Sequence, residues 1–149
     1  MVTIRRENRT SDSFITLIKL LDADLLERNG DLQQSYNVHN QTDYINHVVI
    51  AYFGDEAVGC ASFKLIDDST VEIKRMFVRP EFRGTGIASL VLTELEVWAV
   101  EEGFLHAILE TGINNPKAIR FYQKQGYTTI PNYPPYTGNP NSICMAREI

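Results

Sequence analysis

The run TVEIKRMFV, Thr70 to Val78, leads through a proline into a turn with two glycines in three residues, Gly84-Thr85-Gly86. A stretch with apolar residues at helical spacing follows, and then a second short β-rich run, HAILET. A strand, a helix and a strand in that order share one sheet only if the strands run parallel, with the helix as a right-handed crossover on one face. Upstream, HVVIAYF, AVGCASFKLI and TVEIKRMFV are separated by tight turns at Gly54-Asp55 and Asp67-Asp68, which predicts an antiparallel meander. One strand thus belongs to both arrangements, and the sheet has to be mixed.

The remaining elements fit around that frame. VTIRR reads as a first strand, and Phe14, Leu17, Ile18, Leu21 and Leu25 recur at helical spacing behind Asp12 as expected N-cap. ERNGDLQQSYNVHNQTD reads as loop with some helix. Beyond the glycine turn, Ile87, Val91, Leu95, Trp98 and Ala99 line one helix face, which ends at Gly103. In NNPKAIRFYQKQG, Asn115 caps, Pro116 suits the first helical position and Gly126 closes the end. YTTI and SICMARE give two final strands around the loop PNYPPYTGNPN. The expected fold is α/β in the α+β sense: a mixed, mostly antiparallel central sheet flanked by helices, one domain over residues 1–149.

Composition narrows the function. Hydrophobic residues make up 44% and charged residues 22%, and no apolar run reaches the length of a membrane span, so no membrane partner is expected. A net charge of -5 argues against nucleic acid as partner. Two cysteines, Cys60 and Cys144, form no metal or disulfide pattern and read as small core hydrophobes. With no secretory leader pattern at the N-terminus, the expected location is cytoplasmic. The three histidines, His39, His47 and His106, lack ligand spacing, and no metal is expected.

Glycine within a helix costs about 0.5–1 kcal/mol relative to alanine. Two of them at a helix start suggest that something must approach the backbone closely. Free N–H groups beside the positive end of a helix dipole make an anion site suited to phosphate, to which Arg83 can add a charge-assisted contact. A tight turn with no ligand remains the alternative. The segment lacks the GxxxxGK[ST] of a P-loop and the third glycine of a dinucleotide site.

VEIKRMFVRPEFRGTGIASLVLTELEVWAVEEG resembles motif A of the GNAT superfamily of acetyl-CoA-dependent N-acetyltransferases, with [QR]xxGx[GA] met by Arg83, Gly86 and Ala88. ETGINNPKAIRFYQKQGY resembles its motif B, through Asn115, Ala118, Phe121-Tyr122 and Gly126-Tyr127. The resemblance is strong from about His47 to Ile130 and weak before it. It implies a co-substrate, acetyl-CoA, whose pyrophosphate is cradled by the main chain of Arg83, Gly84, Thr85, Gly86, Ile87, Ala88 and Ser89. It further implies that the pantetheine arm pairs along Met76-Phe77-Val78, that Asn115 touches the coenzyme, and that this strand and His106–Glu110 splay apart to leave a cleft.

Acetyl transfer to an amine needs a neutral amine, a polarised carbonyl and a proton for the departing thiolate. The resemblance puts Glu72 at the general-base position and Tyr122 at that of the acid aimed at the coenzyme sulfur, with contact to the coenzyme. Glu72 is equally readable as an exposed strand residue paired with Lys74 or Arg75, and Tyr122 as a core residue. Glu110 is the second candidate base. The acceptor, a small-molecule or peptide amine, is expected between the loops Asp31–Tyr44 and Tyr133–Asn141, with Tyr36, Tyr44, Tyr133, Tyr136, Asp31 and Asp43 as candidates. Family members often dimerise, so a homodimer is compatible. The competing class is a non-catalytic acyl-CoA-binding module or sensor of the same fold.

Overall fold

Alternation of apolar residues decides where each strand sits. In the computed structural model, which describes residues 1–29 and 45–149, seven strands form one sheet in the order β1-β2-β3-β4-β5-β7-β6. They are β1 (Val2–Glu7), β2 (His47–Phe53), β3 (Glu56–Leu65), β4 (Thr70–Val78), β5 (His106–Gly112), β6 (Thr128–Ile130) and β7 (Ser142–Glu148). The three α-helices among the described residues are α1 (Asp12–Asn29), α2 (Ile87–Glu101) and α3 (Pro116–Lys124). Only β4 and β5 pair in parallel; every other pair is antiparallel. The mixed sheet expected from the strand–helix–strand order is therefore present, with α2 as the crossover.

Two apolar layers sandwich the sheet. On one face Val71, Ile73 and Val78 of β4 pack with Val91, Leu92 and Leu95 of α2. On the other, Phe14, Leu17 and Leu21 of α1 cover Val48, Ile50, Cys60 and Phe77. Cys60 and Cys144 are both fully buried, and desolvation pushes the Cys60 thiol up to about 12. Both are core residues.

Local chemistry departs from expectation at the start of α1. Asp12 lies inside the helix; the cap is Ser11, whose Oγ accepts from the Phe14 N–H at 3.2 Å. The serine sits one residue earlier than Asp12 and reaches the N–H three residues on, the geometry a cap requires. At α3 the expectation holds: Asn115 Oδ1 accepts from Ala118 N–H at 3.3 Å and Pro116 opens the helix. Gly103 and Gly126, at φ 93° and 95°, close α2 and α3. The expected loop from Glu27 onward, with Asp31, Tyr36, Asp43 and Tyr44, lies largely outside the described residues.

Strand β4 carries a bulge. Cys60 faces Phe77 and Ser62 faces Lys74, so Arg75 and Met76 together oppose Ala61 alone. Arg75 takes φ 60°, the left-handed region that non-glycine residues seldom occupy. The carbonyls freed by the bulge are held from β3: Ser62 Oγ donates to Lys74 O at 2.8 Å, and the Cys60 thiol to Arg75 O at 3.3 Å.

Candidate active site

The parallel ladder between β4 and β5 is only three residues long, Thr70 to Glu72 against His106 to Ile108. Beyond it each strand runs on without the other: β5 stays paired to β7, and β4 to β3. The gap is the mouth of a cleft of about 640 Å³, with Met76, Phe77 and Val78 on one side and Glu110, Thr111 and Gly112 on the other. Helix α1 contributes Leu21, Asp24 and Leu25 to its wall, and α3 contributes Ala118, Phe121 and Tyr122.

The glycine turn forms one end. Gly84 and Gly86 adopt φ 80° and 85°, and a β-carbon added to either would meet nothing within 4 Å. The glycines are thus required by backbone conformation, and the space beside them is open. Gly86 is the N-cap of α2, with no side chain capping the helix. The first N–H groups of α2 have no intrahelical acceptor, and no side chain supplies one. The Arg83 Nε donates to Val78 O at 2.9 Å, and its Nη2 lies 3.7 Å from Asp24. Arg83, Gly84, Gly86, Ile87, Ala88 and Ser89 border the cleft, as do Met76, Phe77, Val78, Asn115 and Tyr122. Thr85 does not: its hydroxyl turns back to donate to the Phe82 carbonyl.

Tyr122 is 6% exposed, its ring edge-on to Phe121 at 5.1 Å and to Tyr127 at 5.7 Å. Its hydroxyl has no hydrogen-bond partner among the described residues, and burial raises its pKa, so it stays protonated through neutral pH.

The inner wall is polar. Glu72 is 3% exposed, which removes the reading of an exposed strand glutamate. Its partners are the Tyr133 hydroxyl, donating at 2.6 Å, and Lys64 Nζ at 3.6 Å, rather than a direct pair with Lys74 or Arg75. Its place between the apolar Val71 and Ile73 follows from strand alternation, since these face α2 while Glu72 faces the other layer. Burial raises the Glu110 pKa against the Ser142 hydroxyl, which donates at 2.6 Å and lowers it. Burial likewise lowers that of Lys74, whose Nζ donates to the Tyr136 hydroxyl at 3.3 Å. Tyr133 is raised, by burial first and by Glu72 second. The tail loop therefore does more than pack: Tyr133 and Tyr136 reach into the charged cluster, while Asn132 Nδ2 ties the loop by donating to the carbonyls of Asn139 and Ser142, both at 3.1 Å.

Sequence reading missed Lys74, Arg75 and Gln125 as cleft residues. The legible signal for the first two was a Lys-Arg pair between the apolar Ile73 and Met76 of β4. Nothing announced Gln125, whose Oε1 accepts from Ser89 Oγ at 3.3 Å across the cleft end. Among the described residues no group of three or more His, Cys, Asp or Glu side chains could hold a metal. His47 instead stacks on Phe63 at 4.4 Å, with Nε2 2.7 Å from Glu102.

A helix started by a glycine turn beside a split in a mixed sheet is the arrangement of an acyl-CoA-dependent transferase. The chain belongs to the acetyltransferase (GNAT) family, whose model matches residues 14–127. It is 32% identical to an IAA acetyltransferase of Azospirillum brasilense, over 99% of this chain and 98% of that protein. A Klebsiella pneumoniae structure assigned to the acyl-CoA N-acyltransferases is 31% identical and superposes with a TM-score of 0.82, covering 99% of this chain and 97% of that one. The PaiA N-acetyltransferase of Thermoplasma acidophilum, in complex with coenzyme A, shares the fold at 19% identity and a TM-score of 0.77, over 100% and 99% of the two chains. No described helix is long and apolar enough to cross a membrane.

Proposed function

We propose that the protein transfers the acetyl group of acetyl-CoA to a primary amine of a small molecule or peptide, by direct attack with both substrates held in the cleft. The observation that carries this reading is the cleft between β4 and β5, open at the glycine turn and walled by Glu72, Glu110 and Tyr122. Acetyl-CoA supplies the thioester. The main chain from Arg83 to Ser89, Thr85 included, receives its pyrophosphate; the open space at Gly84 and Gly86 and the uncapped start of α2 fit a phosphate there. Met76, Phe77 and Val78 take the pantetheine arm and Asn115 adds a contact.

The amine gives its proton to Glu72, directly or through water, or to Glu110, whose raised pKa suits a base. Nitrogen then bonds to the acetyl carbon as the carbon–sulfur bond breaks. Tyr122, protonated and without a partner, gives its proton to the departing thiolate and regains one from the acylated nitrogen, which sheds its second proton to become the amide. The test is a panel of amines incubated with acetyl-CoA while free thiol is measured. Release with at least one amine, matched by acetylated product, is the expected result; release with none refutes the catalytic reading.

A further inference from the structure

Arg75 is a buried cation whose partners do not use it up. Its side chain is 5% exposed and it borders the cleft. Asp22 of α1 reaches only Nη2, at 2.9 and 3.1 Å; its side chain is 45% exposed overall, with Oδ1 buried beside the guanidinium. Nε and Nη1 are buried with no hydrogen-bond partner. Buried donors are nearly always satisfied, and one that is not asks for a reason. Chance flexibility is a poor one here. The left-handed backbone at the bulge, with the Lys74 and Arg75 carbonyls pinned by Ser62 and Cys60, fixes where the side chain leaves the strand.

Guanidinium donates only; its natural partner is an anion, carboxylate above all. Two carboxylates, Glu72 and Glu110, stand on the inner wall of the same cleft, where an amine would arrive. From this division of charge we infer that the acceptor is an amino acid: its amine faces the carboxylates and its own carboxylate is received by Arg75. The inference rests on the transferase reading and names the substrate class of that site. A tether from α1 to the sheet is the rival role for Arg75. It predicts lower stability on substitution but no discrimination between acceptors.

The experiment compares matched acceptors in the parent, Arg75→Gln and Arg75→Lys: L-amino acids, their primary amides and the corresponding decarboxylated amines. The ratio of kcat/KM for acid over amide is the readout, so that differences in intrinsic amine reactivity cancel between variants. Arg75→Gln should lower that ratio by about 10- to 100-fold, the loss expected of one charge-assisted hydrogen bond, and Arg75→Lys should recover part of it. Affinity for coenzyme A, measured by calorimetry, should be unchanged and shows that the variants fold. A second readout needs no turnover: with saturating coenzyme A, millimolar acids should raise the melting temperature of the parent, amides should not, and Arg75→Gln should lose the effect. A ratio left intact by Arg75→Gln, or acids and amides equal in the parent, overturns the assignment. A melting response specific to acids without any thiol release supports the carboxylate site and sinks the catalytic reading instead.

Discussion

Replacing Tyr122 by phenylalanine removes one oxygen from the cleft wall and leaves the ring. Because that hydroxyl has no partner among the described residues, no hydrogen bond is broken, and the edge-on contacts to Phe121 and Tyr127 survive. Stability should therefore stay within about 1 kcal/mol of the parent. Coenzyme binding should also be nearly unchanged, because a proton needed as the thiolate departs stabilises the transition state far more than the bound state. A general acid contributes roughly 10²–10⁴ in rate, or about 3–5 kcal/mol. The loss should fall on kcat. Water entering the vacated corner would reduce it toward the lower figure. The assay pairs a calorimetric dissociation constant for coenzyme A with kcat at saturating amine. Equal kcat in the two proteins would refute the acid role and leave Tyr122 as a packing residue. A large loss of coenzyme affinity would show the hydroxyl to be a ligand contact.

Four further outcomes are expected. Millimolar acetyl-CoA should raise the melting temperature by mass action; an unmoved curve would contradict the coenzyme cleft. Gly86→Val places a branched side chain at φ 85° and fills the open space, so stability should drop by about 1–2 kcal/mol and coenzyme affinity by far more; a folded variant that binds as the parent does would misplace the cradle. Glu110 has a folded pKa above its ordinary value of 4.5, so its contribution to stability is best below 4.5 and is lost as pH rises through the raised value. Glu110→Gln should then be the more stable protein at neutral pH, with the advantage gone in acid, as read by denaturant titration across pH. Ser11→Ala should cost about 1 kcal/mol of stability through the α1 cap, with kcat untouched.

Those parts of the molecule written in nearest neighbours were legible from residues alone. Glycine at Gly54 and the Asp67-Asp68 pair mark turns by backbone chemistry, and Asn115-Pro116 with Gly126 punctuates α3 at both ends. The parallel step from β4 to β5 followed from chain order and handedness. Glu72 shows where local reading stops. Its position in a strand left a solvent-facing carboxylate and a cleft base equally open, and the difference is made by Tyr133, 61 residues away, which supplies its hydrogen bond. Lys74 is likewise completed by Tyr136 from the same distant loop. Such pairings arise only when the tail folds back over the sheet, and no spacing along the chain encodes them. The bulge at Arg75 was hidden for another reason: nothing in KRMFV forbids a regular strand, and the extra residue is revealed only by its register against Ala61.

That bulge also sets what kinds of genetic change the strand can absorb. Ile73 and Val78, five positions apart, feed the same layer under α2, while Phe77 feeds the opposite one under α1. An uninterrupted strand would put residues 73 and 77 on one face. Losing a single codon between Lys74 and Phe77 would remove the bulge, restore strict alternation and leave Phe77 and Val78 in the layers they occupy now, whereas straightening the strand at its present length would send both into the wrong layer. What such a loss takes away is the bulge itself, and with it the left-handed backbone that carries Arg75. The extra residue is thus one that neither core needs, and it stands where Arg75 and Met76 line the cleft.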